Sequence, residues 1–120
     1  MTRDYDLIRR MLQDIEKAPV NSVIQRFDYA DYDNPTIAEH VKLLKEGDLI
    51  EVMINETMGG GVGFVIFRLK SAGHDFLEVA RNDTIWNNTM STVKNTGLAL
   101  TIDVLKQLLN KFALSAAGLN

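Results

Sequence analysis

The sequence predicts an α+β fold of the winged-helix type with two further helices at its C-terminal end. Three observations lead there. A helix start at Asn34-Pro35 runs straight into two β-rich stretches, those stretches flank Met58-Gly59-Gly60-Gly61, and an amphipathic helix precedes them all. In a winged helix, the helix ahead of such a ribbon is the "recognition" helix and the ribbon is the wing.

The first helix is predicted over residues 3–17, where Leu7, Ile8, Met11, Leu12 and Ile15 recur at three- and four-residue spacing. Asp4 and Asp6 suit its first turn, and Pro19, Asn21 and Ser22 end it. Val23 to Phe27 is β-branched and aromatic and reads as a short strand, and residues 28–34 are acidic and turn-prone. Asn34 is expected as the N-cap of the next helix, with Pro35 at its first position, where the missing N–H is no loss. That helix should stop near Glu46, with Lys45 in its last turn and Gly47 left-handed beyond it. Residues 49–54 and 64–69 follow as a hairpin with a loose glycine tip.

Ser71 can cap a helix to about Arg81, with Phe76, Leu77 and Ala80 inward, and Asn82-Asp83 breaks it. Another helix runs through Ile85, Trp86, Met90 and Val93 to Asn95-Thr96-Gly97. Thr101 caps the last, whose Ile102, Leu105, Leu109 and Phe112 form a narrow seam, widened by Leu108 and Ala113, that suits pairing with a second copy as well as covering the chain's own core. No repeat, low-complexity tract or long linker divides the chain. The expected organisation is a winged-helix core over 1–82 with a helical extension over 83–120 packed on the same domain.

With 46% hydrophobic and 24% charged residues over 120, the chain has an ordinary globular composition. It lacks cysteine, which excludes disulfides and thiolate metal sites and points to a reducing, cytoplasmic setting. The charged start shows no secretory signal, and no apolar run approaches the ~18 residues of a bilayer span. Thirteen Lys and Arg against sixteen Asp and Glu leave a net charge of −3, with the signs mixed along the chain. DNA is held chiefly by neutralising its phosphates, so this balance weighs against a duplex as partner.

No catalytic, metal or cofactor residues are identified. His40 and His74 stand without the spacing of a metal motif, and Gly59-Gly60-Gly61 lacks the Lys-Ser/Thr of a phosphate loop. Ser71, Ser91 and Ser115 lie in no nucleophile-elbow pattern. An enzyme is therefore not expected.

On a helical wheel Ile37, Val41 and Leu44 cluster and must face the core, which turns Pro35, Glu39, Lys42, Leu43 and Glu46 outward with Thr36 at the flank. The candidate binding residues are thus Thr36, Glu39, His40, Lys42 and Leu43, with Met58, Gly59, Gly60, Gly61 and Val62 as the wing. His40 lies toward the core edge and is expected to bond mainly to backbone. Two carboxylates and one ammonium make poor footing on phosphate, and no Lys or Arg lies between Asn55 and Phe67. Arg3, Arg9, Arg10, Lys17 and Arg26 offer a modest basic stripe elsewhere.

The segment Pro35-Thr36-Ile37-Ala38-Glu39-His40-Val41-Lys42-Leu43-Leu44-Lys45-Glu46-Gly47-Asp48-Leu49-Ile50 resembles the passage from recognition helix to wing in arsenical-resistance-type repressors, departing from it at Glu39 and Gly47-Asp48. Over nearly the whole chain, Arg3 to Arg10, Glu56-Thr57-Met58-Gly59-Gly60, Gly73 to Leu77, Ala80 to Trp86 and Leu100 to Leu105 are similar to a bacterial and phage domain family of unknown function. That resemblance implies a phage or prophage association and a winged-helix-like fold. The element order makes a DNA-binding, regulator-like protein the first expectation. The charge pattern supports an alternative, a winged helix that has lost DNA binding and docks on a host or phage protein.

Overall fold

The computed structural model describes residues 2–97 and 99–119. Their order is α1 (Tyr5–Lys17), α2 (Asn34–Glu46), β1 (Ile50–Glu56), β2 (Val62–Leu69), α3 (Ser71–Ala80), α4 (Asp83–Thr96) and α5 (Ile102–Ala116). The fold is α+β, with five helices and one two-stranded antiparallel sheet among the described residues. Two compact units divide at His74/Asp75, inside α3.

In the first unit, Asp4 caps α1 by accepting the Leu7 N–H at 3.0 Å. The helix buries Tyr5, Leu7, Ile8, Met11, Leu12 and Ile15, the stripe its spacing predicted. Helix α2 packs on α1 and on both strands through Ile37, Ala38, His40, Val41 and Leu44. Its N-cap is Asp33, one residue before the expected Asn34, and it accepts the Thr36 N–H at 2.9 Å. A carboxylate gains more than an amide at the positive end of the helix dipole, which favours the shift.

The end of α2 also differs from expectation. Gly47 stays right-handed and Asp48 takes the left-handed position, with φ of 59°. Asp48 donates its N–H to Lys45 and Leu49 donates to Leu44, the paired bonds of a Schellman motif, with Leu44 and Leu49 both buried.

The strand expected over Val23 to Phe27 shrinks to one bridge, Ile24 against Ile66. The cause lies in burial parity: Phe27 and Tyr29 point inward, an odd set, whereas Ile24 is even. Phe27 stacks on Tyr29 and Phe64 at 5.4 and 5.9 Å, and that aromatic packing pulls the chain off the ladder. The hairpin is longer than its apolar runs, reaching Glu56 and Val62. A bulge leaves Phe67 unpaired between Glu51–Arg68 and Val52–Ile66. The tip is closed by Thr57, whose N–H donates to the Gly61 carbonyl and whose hydroxyl accepts the Gly61 N–H, with Gly60 left-handed at φ 87°.

Gly73 marks a close approach. A methyl in place of its hydrogen would sit 2.1 Å from the Leu49 carbonyl oxygen, which already accepts the Lys70 N–H.

The second unit is helical. Asn82 caps α4 by accepting the Ile85 N–H, and Gly97 ends it left-handed. Thr101 caps α5 as predicted, accepting the Val104 N–H. Helix α4 packs against α5, and Trp86, Thr89, Leu105 and Leu109 are buried.

Two outcomes check this account. Gly73→Ala is expected to lower stability by about 1–3 kcal/mol, because the clash is with backbone that cannot rotate away. Gly59→Ala, with nothing near its added methyl, should stay within about 0.5 kcal/mol of wild type by thermal unfolding. Equal effects would contradict the close approach. The second concerns Tyr32, whose hydroxyl donates to Asp4 at 2.6 Å; this bond, then burial and the nearby carboxylate charges, push its pKa up to about 12. A raised folded-state value means the contribution to stability is complete below the ordinary tyrosine value near ~10 and is lost as pH climbs through the raised one. Asp4→Asn keeps a capping oxygen but removes the charge, so ultraviolet titration should show one tyrosine moving back toward ~10. An unchanged titration would contradict the assignment.

Candidate binding face

The face that α2 presents is set by its buried side. His40 is wholly buried: its Nδ1–H donates to the Thr36 carbonyl at 2.8 Å, and its Nε2 accepts the Asp4 N–H at 2.9 Å. It was grouped by sequence with the candidate contacts, and the structure corrects this, since both ring nitrogens are engaged inside the protein. The backbone bonding expected of it is present, at greater depth than the wheel suggested.

With His40 inward, Glu39 is exposed, and Thr36, Lys42 and Leu43 are half-buried at the margin. Thr36 serves the helix end: its hydroxyl and N–H hold the Asp33 carboxyl below its usual range. Lys42 spans the gap to the hairpin, with Nζ 2.5 Å from Glu56 and 3.4 Å from Glu39. The hydrogen bond to Glu56 raises the Lys42 pKa above the lysine range, and the same bond lowers that of Glu56. Both groups are solvated, so the pair contributes little stability and acts mainly to place charge.

A groove of about 520 Å³ opens between helix and hairpin. Pro35, Ala38, Glu39 and Lys42 line one wall, and Glu56, Gly60, Gly61 and Val62 line the other. Of the residues predicted as a wing, Gly60, Gly61 and Val62 therefore reach the groove, whereas Met58 stands fully in solvent at the tip beside Gly59. Two carboxylates against one ammonium leave the groove with one net negative charge. A second groove of about 590 Å³ lies toward the other end of α2, lined by Lys42, Lys45, Glu46, Ile54 and Glu56.

Glu56 was not singled out from sequence. Its signal was parity: Ile50, Val52 and Ile54 face inward toward α2, and extending that register by two puts Glu56 on the same side, within reach of an outward lysine. The α5 seam serves the chain's own packing, one of the two uses its spacing allows. Leu105 and Leu109 are fully buried within the chain and Ile102 and Phe112 half-buried, so its central residues are already used. Among the described residues no cluster of three or more His, Asp or Glu is placed to hold a metal, and no helix is long and apolar enough to cross a membrane.

Comparison with known proteins places these features in a family. No solved structure matches the chain. A Haemophilus influenzae protein described as uncharacterized is 32% identical over 108 residues, covering 89% of this chain and 91% of the relative. Residues 2–99 match the family described as hypothetical protein DUF2513, and the chain belongs to that family.

Proposed function

We propose that the protein is a non-catalytic binding module of winged-helix type, with α2 as its presenting helix and the β1–β2 hairpin as its wing, and that this face docks on a cytoplasmic protein of host or phage origin. The observation that carries the reading is the engagement of Lys42 by Glu56 and Glu39. The cation best placed to meet a phosphate is neutralised before any ligand arrives, and the hairpin supplies no other between Asn55 and Phe67. What the groove offers is carboxylate oxygen beside apolar surface from Pro35, Ala38 and Val62, which suits a basic or amphipathic side chain of a protein partner.

The element order favours a second reading, a DNA-binding regulator. The helix preceding a glycine-tipped hairpin is the arrangement that reads a major groove. It departs from the usual layout in having no helix in residues 18–33, where a helix-turn-helix would place one.

The two readings separate by charge. Under the protein reading, a labelled duplex gives no anisotropy change at 50 mM salt, and Glu56→Gln, which frees Lys42, creates weak binding that disappears as salt rises. A pull-down should recover one stoichiometric protein, lost with Glu39→Lys. Tight wild-type duplex binding with a steep salt dependence, or recovery of nucleic acid alone, would overturn the proposal.

A further inference from the structure

The hairpin has an edge without a backbone partner. Strand β2 is bonded on one side to β1 and on the other to Ile24, so the outer edge of the sheet belongs to β1. The Thr57 N–H donates to Gly61, which sets the alternation: Met53 and Asn55 turn their backbone groups toward β2, and Val52, Ile54 and Glu56 turn theirs away. Among the described residues, no backbone group bonds these three on the outer side. The groove lined by Lys42, Lys45, Glu46, Ile54 and Glu56 leaves space along this edge.

Protected edges usually carry a lysine, a proline or a bulge of their own. Strand β1 reads Ile-Glu-Val-Met-Ile-Asn-Glu: it has neither lysine nor proline, its carboxylates Glu51 and Glu56 flank an uncharged centre over Val52 to Asn55, and the bulged residue is on β2. At its centre Met53 is 56% exposed, next to half-buried Val65 and 40% exposed Phe67 on the same face.

We infer that β1 pairs with β1 of a second copy, antiparallel about a two-fold axis at Met53, so that the two hairpins form one continuous sheet. The strand's own sequence selects this occupant. A two-fold at Met53 sets Met53 against Met53, Val52 against Ile54, and Glu51 against Asn55, so the three central pairs are apolar and no carboxylate faces another. Val52 and Ile54 then exchange the hydrogen bonds that each edge leaves open. The pairing rests on the strand edge and not on what occupies the groove lined by Pro35, Ala38 and Val62.

The absence of cysteine makes the register testable by single thiols. Met53 and its symmetry mate form a non-hydrogen-bonded pair with Cα atoms about 4.5 Å apart, inside the range a disulfide spans. Asn55 and its mate lie four positions apart, about 13 Å, beyond that range. Under mild oxidation Met53→Cys should convert to a covalent dimer while Asn55→Cys stays monomeric. Light scattering should find the wild-type protein dimeric, and Ile54→Pro, which removes only an outward N–H, monomeric with an unchanged circular dichroism spectrum. A monomeric wild-type protein at high concentration, or cross-linking of Asn55→Cys as readily as Met53→Cys, would overturn the inference. The thiol comparison stands even if the proline variant fails to fold.

Discussion

Two ring nitrogens of His40 govern how the first unit is assembled. Nε2 takes the Asp4 N–H, at the point where α1 begins, and Nδ1–H goes to the Thr36 carbonyl one turn back along α2. Asp4 in turn caps α1 and receives the Tyr32 hydroxyl, so one buried imidazole ties a helix start, a loop and a second helix into a connected set of bonds. A buried donor or acceptor left without its partner costs about 1–3 kcal/mol, so the set tolerates little rotation of α2. Hydrophobic burial of Ile37, Val41 and Leu44 chooses a broad face, and the directional bonds of His40 narrow it.

From that orientation the character of the candidate face follows. Glu39 and Lys42 emerge beside the hairpin, and the even register of β1 brings Glu56 to meet Lys42. The resulting surface has its positive charge spent internally and its negative charge partly available. A face of this kind gains specificity from side chains able to replace Lys42 against its two carboxylates, more than from general attraction to a polyanion. The aromatic and ionic contacts behind the loop, with Arg10 over the Tyr29 ring at 3.9 Å and bonded to Asp31 at 3.1 Å, hold the segment leading into α2.

Much of this architecture was readable from residues alone, because it is written in short-range rules. The α1 stripe, the stop of α2 at Glu46, the end of α4 at Gly97 and the cap at Thr101 all depend on neighbours within a few positions. Where expectation failed, the deciding partner was distant in sequence. Phe27 left its strand to reach Phe64, and His40 was drawn inward by an amide thirty-six residues earlier. On α5 the seam residues Leu105 and Leu109 carried the right periodicity, but periodicity does not say which surface claims them, and the chain's own interior did. Glu56 was legible only once the strand was known to outrun its apolar core.

A neutral imidazole, protonated on Nδ1, locks α2 to the start of α1. Nitrogen-15 correlation spectroscopy of the His40 ring tests it directly. The expected spectrum is that of the Nδ1–H tautomer, with Nε2 unprotonated and a ring proton protected from exchange with solvent. An Nε2–H tautomer, or a ring proton exchanging as fast as that of a solvent-exposed histidine, would rule this lock out and release α2 from the orientation on which the candidate face depends.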